Sequence, residues 1–220
     1  MKKIVLYTVN DELFTLPIIK KICKNFNKKF SIDIFIGKPS FIRKIKVFLV
    51  FILFGSFSNL IFLFKKRTKL KNLSEIKNVN IVSHNKKKYY FGLSMNYPKK
   101  IVLKNYNIYN FHLGNFLNQR GSFIFFYKYL YNWKTLDLTF HKINNKYDSG
   151  QILNQKTENI KNKNATDICL LYNSNYKFIK KSIGKITRKN KKKLIYGDLN
   201  IEPSFYLIMK IYILKTFKIY

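Results

Sequence analysis

The chain is poor in small, turn-making and acidic residues. Among 220 residues there are 8 glycines, 4 prolines, 2 cysteines, one tryptophan, one alanine (Ala165) and 10 Asp plus Glu. Cys23 and Cys169 lie far apart, in no C-x-x-C or metal-ligand spacing. That excludes a disulfide framework, gives no sign of a metal, and reads as two buried thiols in a reducing cytoplasm. The N-terminus runs straight into Ile4-Val5-Leu6-Tyr7 with no cleavage pattern after it, so no secretory signal is expected. No internal repeat is present. A cytoplasmic protein follows as the expectation.

Against the few acids stand 43 Lys plus Arg, for a formal net charge of +33 and a pI near 10.1. Such a balance invites a nucleic-acid or anionic-membrane partner. Composition argues otherwise: Lys far outnumbers Arg, Asn, Ile, Phe and Tyr are abundant, and residues with GC-rich codons are scarce. Codon drift accounts for most of the excess, and a nucleic-acid partner is not expected. With so few carboxylates, each Asp in a chemically suggestive place carries more weight.

At this length one domain with a full core is expected, with a small appendage. Short β-branched runs predict strands over 3–9, 31–36, 79–83, 89–94, 107–112 and 136–143. Helical patterning predicts helices over about 15–27, capped by Asp11, then 122–131, and a closing helix over 164–184. Strands alternating with helices imply an α/β fold, an open, mostly parallel Rossmann-like sheet with flanking helices. Ligands bind such sheets beyond the carboxyl ends of the strands. We divide the chain into a catalytic domain over 1–186 and a basic, apolar C-terminal extension over 187–220.

Residues 47–64 form a charge-free run of eighteen, flanked by Lys46 and by Lys65-Lys66-Arg67. The length matches a minimal membrane span. Gly55, Ser56, Ser58 and Asn59 interrupt it, and a span would cut the α/β unit, so a helix pair packed on the sheet is expected. Peripheral membrane contact through 47–64 or through the apolar 204–220 remains a second reading.

The most informative stretch is 110–153. It reads Asn110-Phe111-His112, then Arg120-Gly121-Ser122, then Thr139-Phe140-His141, then Asp148-Ser149-Gly150-Gln151-Ile152-Leu153. In order and spacing it resembles the catalytic core of the folate-dependent formyltransferase family, with its N-x-H strand end, R-G, V-T-x-H strand and I-D-T-G-x-I-L loop. The resemblance implies a formyltransferase-like fold, N10-formyltetrahydrofolate as co-substrate, and Asn110, His112 and Asp148 as catalytic groups. In that assignment Asn110 gives an amide N–H to the oxyanion and His112 polarises the same oxygen. Asp148 orients His112 and helps accept the amine's proton. His141 falls outside the triad and is expected to be structural. Leu93-Ser94-Met95-Asn96-Tyr97-Pro98 resembles the family's I-S-x-G-Y-P segment. It implies cofactor-binding roles for Leu93, Ser94, Met95 and Asn96, completed by Gly150 and Gln151. Asn96 stands where the family has glycine, a substitution that still admits positive φ.

The family's H-P-S-L-L-P is replaced by His112-Leu113-Gly114-Asn115-Phe116-Leu117. Both prolines are gone, which implies a laxer active-site loop. No Gly-rich loop follows the first strand, unlike the glycinamide-ribonucleotide branch, and too little chain follows Ile186 for a tRNA-binding barrel. The resemblance is therefore strongest to the amino-sugar N-formyltransferase branch, with a nucleotide-linked amino sugar as acceptor. A methionyl-tRNA formyltransferase-like enzyme without its C-terminal domain stays open. So does a catalytically degenerate relative that binds RNA or an anionic membrane through the basic run at 188–193.

Overall fold

The computed structural model describes residues 1–56, 61, 68–83, 88–101, 105–144, 148–186 and 198–217. Its centre is a seven-stranded sheet. The strands are β1 (Lys2–Val9), β2 (Phe30–Gly37), β3 (Val79–Val82), β4 (Phe91–Met95), β5 (Ile108–Leu113), β7 (Thr135–Lys142) and β8 (Ile152–Asn159), in the order β3-β2-β1-β4-β5-β7-β8. The first five are parallel, while β7 runs antiparallel to β5 and β8 antiparallel to β7. A short β6 (Arg120–Gly121) pairs separately with β9 (Leu199–Asn200). The open, mostly parallel α/β sheet expected from the sequence is the one observed.

Alternation of side chains along each strand separates two layers. Ile4 and Leu6 of β1 and Ile32 and Ile34 of β2 face α1 (Thr15–Phe26), which buries Leu16, Ile19, Ile22 and Cys23 against them. Each such aliphatic side chain, fully buried, stabilises the fold by roughly 1.5–3 kcal/mol. On the opposite face Val5, Tyr7, Tyr89 and Ile108 form a smaller aromatic cluster. Asp33, fully buried there, is neutralised by Lys3 at 3.1 Å and accepts the Tyr89 hydroxyl at 2.8 Å, so it belongs to the core.

A second core lies beside the sheet. It joins α2 (Phe41–Phe54), α4 (Ile124–Tyr131), α5 (Ala165–Cys169) and α8 (Phe205–Thr216) through Phe51, Phe54, Phe126, Ala165, Ile208 and Ile211. The remaining helices are α3 (Lys71–Ser74), α6 (Leu171–Ser174) and α7 (Tyr176–Ile183). The described part of 187–220 is thus joined to β6 by β9 and to the helices of the second core by α8.

Several boundaries differ from the sequence expectation. α2 starts at Phe41, capped by the Ser40 hydroxyl on the Arg43 N–H, and stops at Gly55, where the polar interruption begins. The second half of the expected 47–64 pair lies largely outside the described residues, as does the basic run at 188–193. Asp11 does not cap α1 directly. Its carboxylate accepts the N–H groups of Leu13 and Phe14 and the Thr15 hydroxyl, an Asx turn that feeds the helix. The closing helix over 164–184 is three pieces. Asn164 and Asp167 form a reciprocal capping box on α5, and the chain leaves helical geometry at Asn175, before α7. The edge strand β8 has no counterpart in the expectation, because its middle is polar and largely exposed.

Candidate active site

Parallel strand order brings the carboxyl ends of β4 and β5 side by side. Ser94 lies opposite Asn110 and Met95 opposite Phe111. On the other flank of β5, His141 lies opposite Asn110 and Thr139 opposite His112. Asn110 and His112, two residues apart on an extended strand, share one face. The loop after β7 then returns Asp148 to that face.

His112 is 7% exposed, and its two ring nitrogens face different partners. Nε2 is 2.7 Å from the Gln119 carbonyl, which can only accept, so Nε2 carries a proton. Nδ1 is 3.5 Å from Asp148 Oδ1. A second proton, on Nδ1, converts that contact into an ion pair. The distance is looser than a tight hydrogen bond, as is common before substrate closes a site. Asp148 itself is firmly placed. Its Oδ2 accepts the Gly121 N–H at 2.8 Å, and its carbonyl accepts Arg120 Nε at 3.2 Å. Its backbone sits at φ 38°, a left-handed conformation that Asp tolerates better than most residues. The R-G element thus has a structural meaning: Gly121 holds the carboxylate that faces His112. A Cβ at Gly121 would come within 2.0 Å of the Asn200 carbonyl, so the position requires glycine.

The second pair is Asn110 and His141. His141 is 1% exposed, and its Nδ1 points at the Ser149 and Lys142 carbonyls, at 3.1 and 3.3 Å. Nδ1 therefore carries the proton and Nε2 holds a lone pair. Asn110 Nδ2 lies 3.2 Å from that lone pair, which sets the amide orientation and leaves its second N–H uncommitted to His141. The arrangement requires a neutral ring. Burial supplies it, pushing the His141 pKa from 6.5 to about 4 against the opposing pull of Asp148. Phe116 packs edge-on against the same ring at 4.7 Å. His141 ties Asn110 to the Ser149 carbonyl through its two ring nitrogens.

On the expected folate side, Leu93, Ser94 and Met95 are all buried in β4, with 3%, 5% and 2% exposure. Their side chains are thus largely shut from solvent, and any ligand contact falls to backbone. Asn96 follows at φ 54°, where the family has glycine, with its Nδ2 donating to the Thr15 hydroxyl at 2.9 Å. Gly150 at φ 113° is held so close to the Lys142 carbonyl that a Cβ would lie 2.0 Å away. Gln151 is half-buried and begins the turn into β8. The enclosed space against Leu93, Ser94 and Met95 is about 10 Å³, enough for one water. A pterin is too large for that space. The β4–β5 register does place that backbone next to Asn110 and His112.

The loop after β5 carries the residue that motif reading missed. Gln119 is 4% exposed and braces the loop: its Oε1 accepts the N–H groups of Asn115 and Asp137, and its Nε2 donates to the Thr135 carbonyl. Asn115 makes an Asx turn onto Leu117 and Asn118. The Thr139 hydroxyl donates to the Gly114 carbonyl at 2.6 Å. The expected laxness meets a segment tied at both ends by these side chains. No sequence signal singles out Gln119, since its partners are backbone groups.

No family model matches the chain, and no curated protein matches it. Solved structures do. A 4-N formyltransferase from Francisella tularensis superposes with TM-score 0.59 at 18% identity, covering 91% of this chain and 76% of that one. The N-formyltransferase from Helicobacter canadensis, solved with folinic acid and dTDP-3-aminofucose, gives 0.61 at 17% identity, with coverages of 91% and 71%. Methionyl-tRNA formyltransferase from Clostridium thermocellum gives 0.57 at 11% identity, with coverages of 97% and 82%. The chain has the α/β fold of the folate-dependent formyltransferases. Amino-sugar formyltransferases stand among its structural neighbours.

Proposed function

We propose that this chain transfers a formyl group from N10-formyltetrahydrofolate to the primary amine of a nucleotide-linked amino sugar. One observation carries the reading: on a formyltransferase fold, Asp148 faces His112 at 3.5 Å beside Asn110, at the end of β5. The co-substrate supplies an electrophilic formyl carbonyl. Asn110, held by His141, offers its second N–H to the oxygen that gains charge. Preorganised donors of this kind are each worth on the order of 3 kcal/mol of barrier. His112, with Nε2 bound to the Gln119 carbonyl and Nδ1 facing Asp148, stabilises the same oxygen through its charge once Nδ1 also carries a proton. Asp148 keeps that proton in place and accepts the one released by the attacking amine. Proton relays of this type contribute roughly 10²–10⁴-fold. The backbone of residues 93–96 and 148–151 would hold the pterin beside these groups.

The sugar acceptor is favoured by the neighbours solved with dTDP or a dTDP-sugar. The test is incubation with N10-formyltetrahydrofolate and a panel of dTDP- and UDP-linked amino sugars, following tetrahydrofolate release. Release that depends on one amino sugar, with a formylated product by mass, is the expected result. Absence of release with every sugar, but formylation of methionyl-tRNA, would move the assignment to the tRNA branch.

A further inference from the structure

We propose that the outward faces of α2 and α8 are a docking surface for an anionic lipid bilayer. On α2, Phe41, Ile45, Phe48 and Ile52 are 75%, 40%, 65% and 55% exposed. Their spacing of four, three and four residues puts them on one face of the helix. From α8 onward, Tyr206, Met209, Ile213 and Phe217 are 74%, 40%, 46% and 70% exposed, again at helical spacing. The opposite sides of both helices are already used: Val50, Phe51, Phe54, Ile208 and Ile211 fill the second core. The two helices also hold each other. Tyr212 packs edge-on to Phe54 at 5.9 Å, and Glu202, just before α8, binds Arg43 and Lys46 of α2 at 3.0 and 3.2 Å.

Helices apolar on all sides are normally buried on all sides. Here, among the described residues, one side of each is exposed, and monomers rarely leave contiguous apolar patches larger than a few hundred Å². Charge selects the occupant. α2 carries Arg43, Lys44 and Lys46, α8 carries Lys210 and Lys215, and neither helix contains an Asp or Glu. Lys44 and Lys210 are exposed on the same faces as the apolar stripes. A second copy would bring one +33 chain against another within a Debye length of about 8 Å. Acidic headgroups reverse the sign of that interaction, and each basic side chain at such a surface strengthens partition about fivefold. Codon drift explains how the lysines arose and leaves their electrostatics unchanged. Among the described residues no helix is long and apolar enough to cross a membrane, so the helices lie on the surface with their apolar stripes inserted.

The experiment is co-sedimentation of the purified full chain with vesicles of phosphatidylcholine alone and with about one quarter phosphatidylglycerol added. Binding to the acidic vesicles only, weakened as salt is raised, is expected. Phe48→Ser with Ile213→Ser should lower the partition about tenfold or more, and Lys44→Glu with Lys210→Glu likewise. All four positions are exposed, so circular dichroism should be unchanged. Equal partition into neutral vesicles, or no partition into either, overturns the proposal. So does a dimer in sedimentation equilibrium that the Phe48→Ser and Ile213→Ser pair dissolves, which would assign the surface to a second copy. The wild-type comparison of the two vesicles decides the matter even if a variant misfolds. None of these readouts depends on formyl transfer.

Discussion

Replacing Asp148 by Asn isolates the charge that faces His112. The backbone there is at φ 38°, which Asn tolerates as well as Asp, so the turn survives. The amide oxygen of Asn can still accept the Gly121 N–H now bound at 2.8 Å. The amide nitrogen is then directed at His112 Nδ1, as a donor. Nε2 already donates to the Gln119 carbonyl, so His112 becomes fixed as a neutral ring with no proton on Nδ1. The variant lacks both the negative charge that faces Nδ1 of His112 and the base proposed to take the amine's proton. Formyl transfer should fall at least on the order of 10²-fold in kcat, the lower end of the acid–base range. The loss to stability should be small, about 1 kcal/mol for exchanging a charge-assisted hydrogen bond for a neutral one. That corresponds to a Tm lower by about 2–4 °C. His112→Asn should be as inactive, and the double variant little worse than either, because the two groups act as a unit. The assay is steady-state tetrahydrofolate release with the confirmed acceptor, beside thermal melts. Near-full turnover in Asp148→Asn would refute the assigned mechanism while leaving the fold untouched.

Three further outcomes follow from the same geometry. The His141 pKa is lowered in the folded state, so the stability it contributes is present above pH 6.5 and is lost as pH falls toward about 4. Denaturant titrations across that window should show a loss of about 3 kcal/mol that His141→Phe removes. That variant deprives Asn110 of its acceptor, so kcat should drop about tenfold with KM nearly unchanged, the pattern of a donor misplaced in the transition state. Gly114→Ala would put a Cβ 1.9 Å from the Gln119 carbonyl and 2.8 Å from His112 Nε2, at φ 134°. Chemical denaturation should show it less stable by about 2 kcal/mol or more, with activity lost in the same variant.

How much was legible in the chain varies with the physics of each element. The β1 and β2 segments were readable because both faces are buried and the apolar runs are nearly continuous. The juxtaposition of His112 with Asp148 was readable because these residues are compressed into 110–153, where order and spacing outweigh any single residue. β8 was not, because Asn154, Gln155, Lys156, Thr157 and Glu158 give an edge strand with almost no apolar period. Its place is set by pairing with β7 and by bonds such as Thr157 and Gln155 to the Asp137 carboxylate. The start of α2 was missed because Phe41 and Ile42 are exposed, and Arg43, Lys44 and Lys46 place its first turns outside the charge-free run. The breaks between α5, α6 and α7 depend on side chains that bond to their own backbone, such as Asn175 to the Leu171 carbonyl, which periodicity does not register.

The departures from the formyltransferase pattern share a cause. Where the formyltransferase pattern H-P-S-L-L-P places its two prolines, this chain has Leu113 and Leu117, each with a backbone N–H. Proline restrains a loop by removing backbone freedom and a donor together. Without it, Leu117 has an N–H to satisfy, and the Asn115 side chain accepts it, as Gln119 accepts the Asn115 N–H. Gln119 also presents its own carbonyl to His112 Nε2. The residue that braces the loop therefore fixes the tautomer of the His112 imidazole as well. Restraint has moved from covalent geometry to hydrogen bonding, each bond worth about 1 kcal/mol net. Such a loop is ordered only while its network is complete. Activity here should thus be more sensitive to Gln119 than any motif suggests.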